Sequence, residues 1–162
     1  MTDSLLDIPV LTADGAETTL KEHAGKVLLI VNVASRCGLS PQYADLEALQ
    51  QKYGPRGFVV LGFPSNQFFQ ELSSNDAIAE YCSTKWGITF PIFDIVKVNG
   101  KGRSPLYAEL TKAKDERGSA GNIRWNFEKF VVTPDKRVLR FRPTTVPTDP
   151  AIIDAIESNL PK

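Results

Sequence analysis

The sequence predicts an α/β domain with a central mixed sheet flanked by helices, and three observations predict it. Two nearly continuous apolar runs, at 27–33 and 58–63, the first rich in β-branched residues, read as strands covered on both faces. Each run is followed by apolar residues at helical spacing, which is how crossover helices come to cover a parallel pair. The last third changes rhythm, to a hairpin signal around Pro134-Asp135 and then one closing helix.

The elements follow in order. Short strands near 8–11 and 17–20 flank Asp14-Gly15, a two-residue hairpin signal, and give an N-terminal β-hairpin. The strand 27–33 leads through Ala34-Ser35-Arg36-Cys37-Gly38-Leu39-Ser40-Pro41 into a helix at 40–53, with Tyr43, Leu46, Leu49 and Tyr53 on its apolar face. Gly54-Pro55-Arg56-Gly57 breaks the chain before the strand 58–63. A polar loop at 64–73 ends at Ser74, an N-cap for a helix carrying Ala77, Ile78, Tyr81 and Cys82. Phe90-Pro91-Ile92-Phe93 reads as an edge or connecting segment, and a helix runs from Ser104-Pro105 to about Lys112. The stretch 114–121 reads as a surface loop. Strands at 129–133 and 137–142 and a helix at 149–159 complete the chain.

Composition bounds the rest. A chain of 162 residues supports one domain, here 1–162, and is short for two. With 42% hydrophobic and 23% charged residues it is ordinary for a globular protein, and its net charge of zero gives no reason to expect nucleic acid as a partner. No apolar run approaches the ~20 residues of a membrane span, so stable membrane insertion is not expected. The first residues carry neither a basic segment nor a long apolar one, which makes the cytoplasm the expected compartment.

Two cysteines, Cys37 and Cys82, and one histidine are too few for a structural zinc site, so no metal is expected. In a reducing compartment the pair reads as redox chemistry or as two unrelated thiols. Cys37 sits where a buried strand passes into a helix. Free N–H groups, the helix dipole and Arg36 favour a thiolate at such a position, although a small apolar core cysteine also fits. His23, in the polar turn Lys21-Glu22-His23-Ala24-Gly25, reads as a solvated surface residue.

A strand, then Cys37-Gly38-Leu39-Ser40 at a helix start, then a further strand and helix, a hairpin and a closing helix make a thioredoxin-like pattern, with Ser40 where a second cysteine would stand. Three segments narrow it: Asn32-Val33-Ala34-Ser35-Arg36-Cys37-Gly38, Gly62-Phe63-Pro64-Ser65-Asn66-Gln67-Phe68-Phe69-Gln70-Glu71, and Trp125-Asn126-Phe127-Glu128-Lys129-Phe130. In this order the chain resembles the glutathione peroxidase family over almost its whole length. The resemblance implies a peroxidase that reduces hydrogen peroxide and organic or lipid hydroperoxides to water and alcohols. Cys37 takes the peroxidatic role, and Gln70, Trp125 and Asn126 stand where the family's catalytic glutamine, tryptophan and asparagine do. Read without the resemblance, Trp125 also fits a core aromatic, Asn126 a turn residue and Gln70 a solvated loop amide. The chain departs from the family at Ser65, where cysteine is common, and at Phe69, which replaces a glycine beside the pocket mouth.

The chemistry fits these residue types. A thiolate attacks one peroxide oxygen while charge develops on the other, and neutral amide and indole N–H donors stabilise that charge. By resemblance to thioredoxin-dependent members, Cys82 is the resolving cysteine, closing a disulfide with Cys37 after its helix partly unwinds; a plain buried helix cysteine is the other reading. Thioredoxin is then the expected reductant, with glutathione the alternative, and no bound cofactor is implied. The short 114–122 loop, where glutathione-specific members carry an insertion, points to a monomer. A peroxide sensor that passes its disulfide to a client protein, or a thioredoxin-fold binding module with an inert Cys37, are readings from other classes.

Overall fold

The computed structural model describes residues 5–69 and 71–161. Its central sheet has four strands in the order β4-β3-β5-β6. β3 (Val27–Val33) is interior and lies parallel to β4 (Phe58–Pro64), pairing Val27 with Phe58 through to Val33 with Pro64. On its other side β5 (Lys129–Val132) runs antiparallel, and β6 (Val138–Phe141) returns along β5. Every residue of β3 and β4 is buried, as continuous apolar runs require.

Alternation of side chains along β3 divides the interior into two cores. Val27, Leu29, Val31 and Val33 face a layer containing α1 (Gln42–Tyr53), α2 (Asn75–Tyr81) and α4 (Pro150–Glu157). Leu28 and Ile30 face α3 (Pro105–Leu110), through Leu106, Tyr107 and Leu110. The architecture is the thioredoxin-like fold, helices on both faces of a mixed sheet.

Ser74 acts as the sequence predicts, and Asp149, which had no assigned role in the sequence, acts likewise. Ser74 Oγ caps α2 by accepting from Ala77 N at 3.2 Å, and Asp149 caps α4 by accepting from Ala151 N at 2.9 Å. Gly57, at φ 95°, makes the left-handed turn that reverses the chain from α1 into β4. The N-terminal hairpin is present but reduced to β1 (Val10–Leu11) and β2 (Glu17–Thr18), which pair only with each other in the described sheets. Leu20 instead turns inward, and a 3₁₀ turn follows at Lys21–His23. That turn corrects the reading of His23. Its side chain is mostly buried, Nδ1 has no hydrogen-bond partner, and loss of hydration lowers its pKa despite the charge of Glu22 beside it.

Helix α2 does not end in an ordinary cap. It passes into a π-helical turn, Cys82–Trp86, which closes at Gly87 in the left-handed region. Cys82 therefore lies at the junction of two helical registers, a place where functional sites concentrate.

Candidate active site

Cys37 lies in the turn-rich loop that carries the chain from β3 to α1. Helix α1 opens only at Gln42, so its first-turn N–H groups are not the ones that serve the sulfur. The donors come from elsewhere. Leu39 N–H points at Sγ from 3.4 Å, and the indole Nε1–H of Trp125 from 3.2 Å. The thiol is buried, whereas the Trp125 ring is 37% exposed. Two N–H donors on one sulfur suit a sulfur that carries negative charge.

Trp125 is held from far away in sequence. Asn32, near the end of β3, donates from Nδ2 to Trp125 O at 3.2 Å and accepts from Glu128 N at 3.0 Å, while its own carbonyl accepts from Phe127 N at 2.7 Å. Phe127 adopts a left-handed conformation, φ 67°, and sets its ring edge-on against Tyr43 at 5.3 Å. Asn126 is fully buried, and neither of its amide atoms has a partner. Unpaired amide groups in such a place are costly in the resting protein and free to meet a ligand.

The loop after β4 closes the site from another side. Gln67 Oε1 accepts from Val98 N at 2.5 Å and Asn99 N at 2.8 Å, and the Asn99 side chain exchanges both its bonds with the backbone of Ile123. This amide chain ties the glutamine loop to the segment that presents Trp125. Phe68 packs against the Trp125 ring, centroids 5.2 Å apart. Phe69 does not fill the pocket as its bulk suggests: it stands 87% exposed at φ 58°. Gln70 lies outside the described residues. Glu71, just beyond it, turns inward and accepts from Ser35 N at 2.9 Å and from Leu72 N at 2.8 Å, which joins this loop to the one carrying Cys37.

Cys82 is a free, buried thiol, as is Cys37, and both belong to the same apolar cluster. Its environment differs. Burial pushes the Cys82 thiol up to about 11; the Tyr43 hydroxyl opposes this and the charge of Glu71 adds to it. Burial also raises the Glu71 carboxyl, against the pull of Ser35, of its backbone donors and of Arg36. The structure therefore brings Trp125 to Cys37, buries the adjacent Asn126, and sets Cys82 in the same apolar cluster as Cys37.

Three residues that hold the site had no assigned role in the sequence. Asn32 was legible as one polar residue inside an apolar strand, and a fully buried asparagine needs distant partners. Asn99 and Glu71 gave no comparable signal. The loop beyond α3 is fixed by a buried ion-pair network. Arg140 pairs with Glu128 and donates to the carbonyls of Thr111, Ala113, Gly121 and Asn122, while Arg142 joins Glu128 to Asp115. The Arg142 guanidinium holds the Asp115 carboxyl far below the usual carboxylate range. Among the described residues no group of three metal-ligating side chains occurs, and no helix is long and apolar enough to cross a membrane.

Comparison with known proteins bears on this geometry. The family model for glutathione peroxidase matches residues 5–111. The thioredoxin/glutathione peroxidase BtuE of Escherichia coli is 48% identical across 183 aligned positions that take in the whole of both chains. The hydroperoxy fatty acid reductase gpx1 of Synechocystis is 47% identical over 78% of this chain and 79% of its own. Among solved structures, T. cruzi GPX1 is 30% identical and superposes with a TM-score of 0.76 over 96% of this chain and 95% of that one.

Proposed function

The chain belongs to the glutathione peroxidase family and is a thiol peroxidase, and from that premise we propose that it turns over through two cysteines. The Cys37 thiolate attacks one oxygen of the hydroperoxide. The O–O bond breaks, the sulfur becomes a sulfenic acid, and the other oxygen leaves as water or an alcohol once protonated. Trp125 and Asn126, with Gln70, supply the donors that orient the peroxide and hold charge on the departing oxygen. The observation that carries this reading is the pair of N–H groups, Trp125 Nε1 and Leu39 N, aimed at Cys37 Sγ.

Cys82 then attacks the sulfenic sulfur and closes a disulfide. Helix α2 gives way at its π-helical end to let the two sulfurs meet, since a disulfide needs Cα atoms within about 7 Å. Thioredoxin reduces the product by thiol–disulfide exchange. The name of the Escherichia coli relative supports a reductant of this kind but couples thioredoxin with glutathione. The short, pinned 111–122 segment supports a monomer with an open active-site face able to admit a protein reductant.

Coupled NADPH assays test the reading, with tert-butyl hydroperoxide as oxidant and either thioredoxin with its reductase or glutathione with its reductase. Thioredoxin-supported turnover that vanishes in Cys82→Ser is the expected result. Glutathione-supported turnover that survives the substitution would make Cys82 structural and Cys37 the sole redox centre.

A further inference from the structure

Lys129 closes the segment that begins at Trp125, and peroxide chemistry gives it no role. It is fully buried. It pairs with Val31 across β5 and β3, and its place two residues from Val131 turns it toward the core that holds Cys37. Burial draws its pKa down to about 7, against the attraction of Glu128 and Asp45. A methionine would fill the same space without that cost, so packing alone does not account for an amine here. The amine has a definite partner. Its Nζ donates to Pro143 O at 2.8 Å, and the buried Gln42 side chain donates from Nε2 to the same oxygen at 3.0 Å. Pro143 is a fixed point, because Arg142 before it is bonded to Glu128 and Asp115. Gln42 is the first residue of α1, and its own N–H donates to Leu39 O at 2.9 Å. Leu39 N–H is the loop's donor to Cys37 Sγ. Direct hydrogen bonds thus lead from Lys129 through Pro143, Gln42 and Leu39 to the sulfur. At its other end the loop is held by Glu71, which accepts from Ser35 N.

We propose that Lys129 is a positioning residue for peroxide reduction: together with Gln42 it grips the Pro143 carbonyl, and through Gln42 and Leu39 it holds in place the N–H that meets the Cys37 sulfur. The two donors reach one oxygen from different elements, the amine from β5 and the amide from α1. They lock sheet to helix at the point where the nucleophile loop enters the helix. A donor stabilises a thiolate only while it stays aimed, and a small misplacement costs rate out of proportion to the movement. Lys129 touches neither the sulfur nor the peroxide in this scheme; it acts through Gln42 and Leu39. The inference rests on Cys37 as the peroxidatic thiol and is independent of Cys82.

Two substitutions test the grip. Lys129→Met keeps the length of the side chain and removes the amine, while Pro143 O keeps its bond from Gln42, so no acceptor is orphaned. Gln42→Leu removes the other grip, along with an Oε1 that is buried without a partner, and leaves Pro143 O on Lys129. Three quantities are measured in each reduced protein. Stopped-flow tryptophan fluorescence gives the second-order rate with hydrogen peroxide. The pH dependence of iodoacetamide alkylation, read at Cys37 by peptide mass mapping, gives the pKa of that thiol. Urea denaturation gives the midpoint of unfolding. Each variant is expected to lose about tenfold in peroxide rate, less than the roughly 10²-fold that follows outright removal of a preorganised donor. The Cys37 pKa should rise in both, and the urea midpoint of Lys129→Met should stay at or above that of the wild type. A lysine with a merely structural role would lower the midpoint and leave the Cys37 pKa alone. Wild-type rate and thiol pKa in both variants, a slower rate with an unchanged thiol pKa, or a slower rate only alongside a lower midpoint would each overturn the grip and leave the peroxidase reading standing. A wild type that forms no sulfenic acid at Cys37, trapped by dimedone after one equivalent of peroxide, would overturn both.

Discussion

The two cysteines have the same side chain in the same apolar cluster, yet their surroundings differ in kind. Cys37 is served by N–H donors: one from its own loop and one from an indole 88 residues away. Burial, with the charge of Glu71 added and the Tyr43 hydroxyl opposing, drives the Cys82 thiol up to about 11. Donors favour a sulfur that is already charged; a dry, acidic neighbourhood favours one that keeps its proton. The comparison teaches that burial, the main force on the Cys82 thiol, does not act alone: N–H donors meet the sulfur of Cys37, whereas a carboxylate adds to the effect of burial at Cys82.

The strongest way to break the comparison is to remove the indole donor. Trp125→Phe keeps an aromatic ring against Phe68 and deletes Nε1–H. If that donor matters as stated, the second-order rate of peroxide reduction, measured by stopped flow, falls by about 10²-fold, the scale of losing one preorganised donor. A loss within twofold would mean that Leu39 N–H suffices.

The next largest effect concerns how the donor is held. Asn32→Leu strips partners from two backbone groups, Trp125 O and Glu128 N, at a fully buried position. Each unmet group costs about 1–3 kcal/mol, so urea denaturation should show roughly 2–4 kcal/mol of lost stability. The peroxide rate should fall as well, because Trp125 loses its anchor.

These two residues mark what was legible in the sequence. The strands at 27–33 and 58–63 and the cap at Ser74 could be read because their causes are local: a nearly continuous apolar run, or a side chain bonding three positions on. The identities of Cys37, Trp125 and Asn126 came from motif, but the meeting of Trp125 with Cys37 depends on contacts across the sheet that no local pattern encodes. Asn32 bonds to Trp125 across 93 residues, and Glu71 to Ser35 across 36. The π-helical turn at Cys82 was hidden for a related reason. Hydrophobic spacing over 75–86 fits an α-helix equally well, and the wider turn is fixed by closure at Gly87 and by Trp86 stacking beside Tyr43. His23 misled in the opposite direction, since polar neighbours in sequence did not keep its ring in solvent.

A smaller effect sharpens the contrast by pH. Cys82 has a folded-state pKa raised to about 11 from an ordinary value of 9.0. Its contribution to stability is therefore intact below about pH 9 and is lost as pH rises toward 11, because the unfolded thiol ionises first. At pH 7.5 the reduced protein exposed to iodoacetamide should be alkylated at Cys37 at least about tenfold faster than at Cys82, since only thiolate reacts. Peptide mass mapping reads the ratio, and equal labelling would dissolve the distinction between the two sites.

The smallest effect lies at the mouth of the Cys37 pocket. Phe69 holds a left-handed backbone conformation with its ring almost wholly in solvent, so it accepts strain without compensating burial. The preceding turn, in which Phe69 N–H bonds to Asn66 O at 3.0 Å, and the Asn66 side chain, which accepts from Glu71 N at 3.1 Å, together impose that conformation. Glycine adopts it freely. Phe69→Gly should therefore stabilise the protein by about 1 kcal/mol in urea denaturation, the strain relieved exceeding the entropy that glycine adds to the unfolded chain. The peroxide rate at Cys37 then decides what the strain is for. If hydrogen peroxide reacts as before while a long-chain organic hydroperoxide reacts more slowly, the exposed ring serves the apolar substrate. If both rates hold, Phe69 is strained for no catalytic return, and only the backbone course of the loop matters to Cys37.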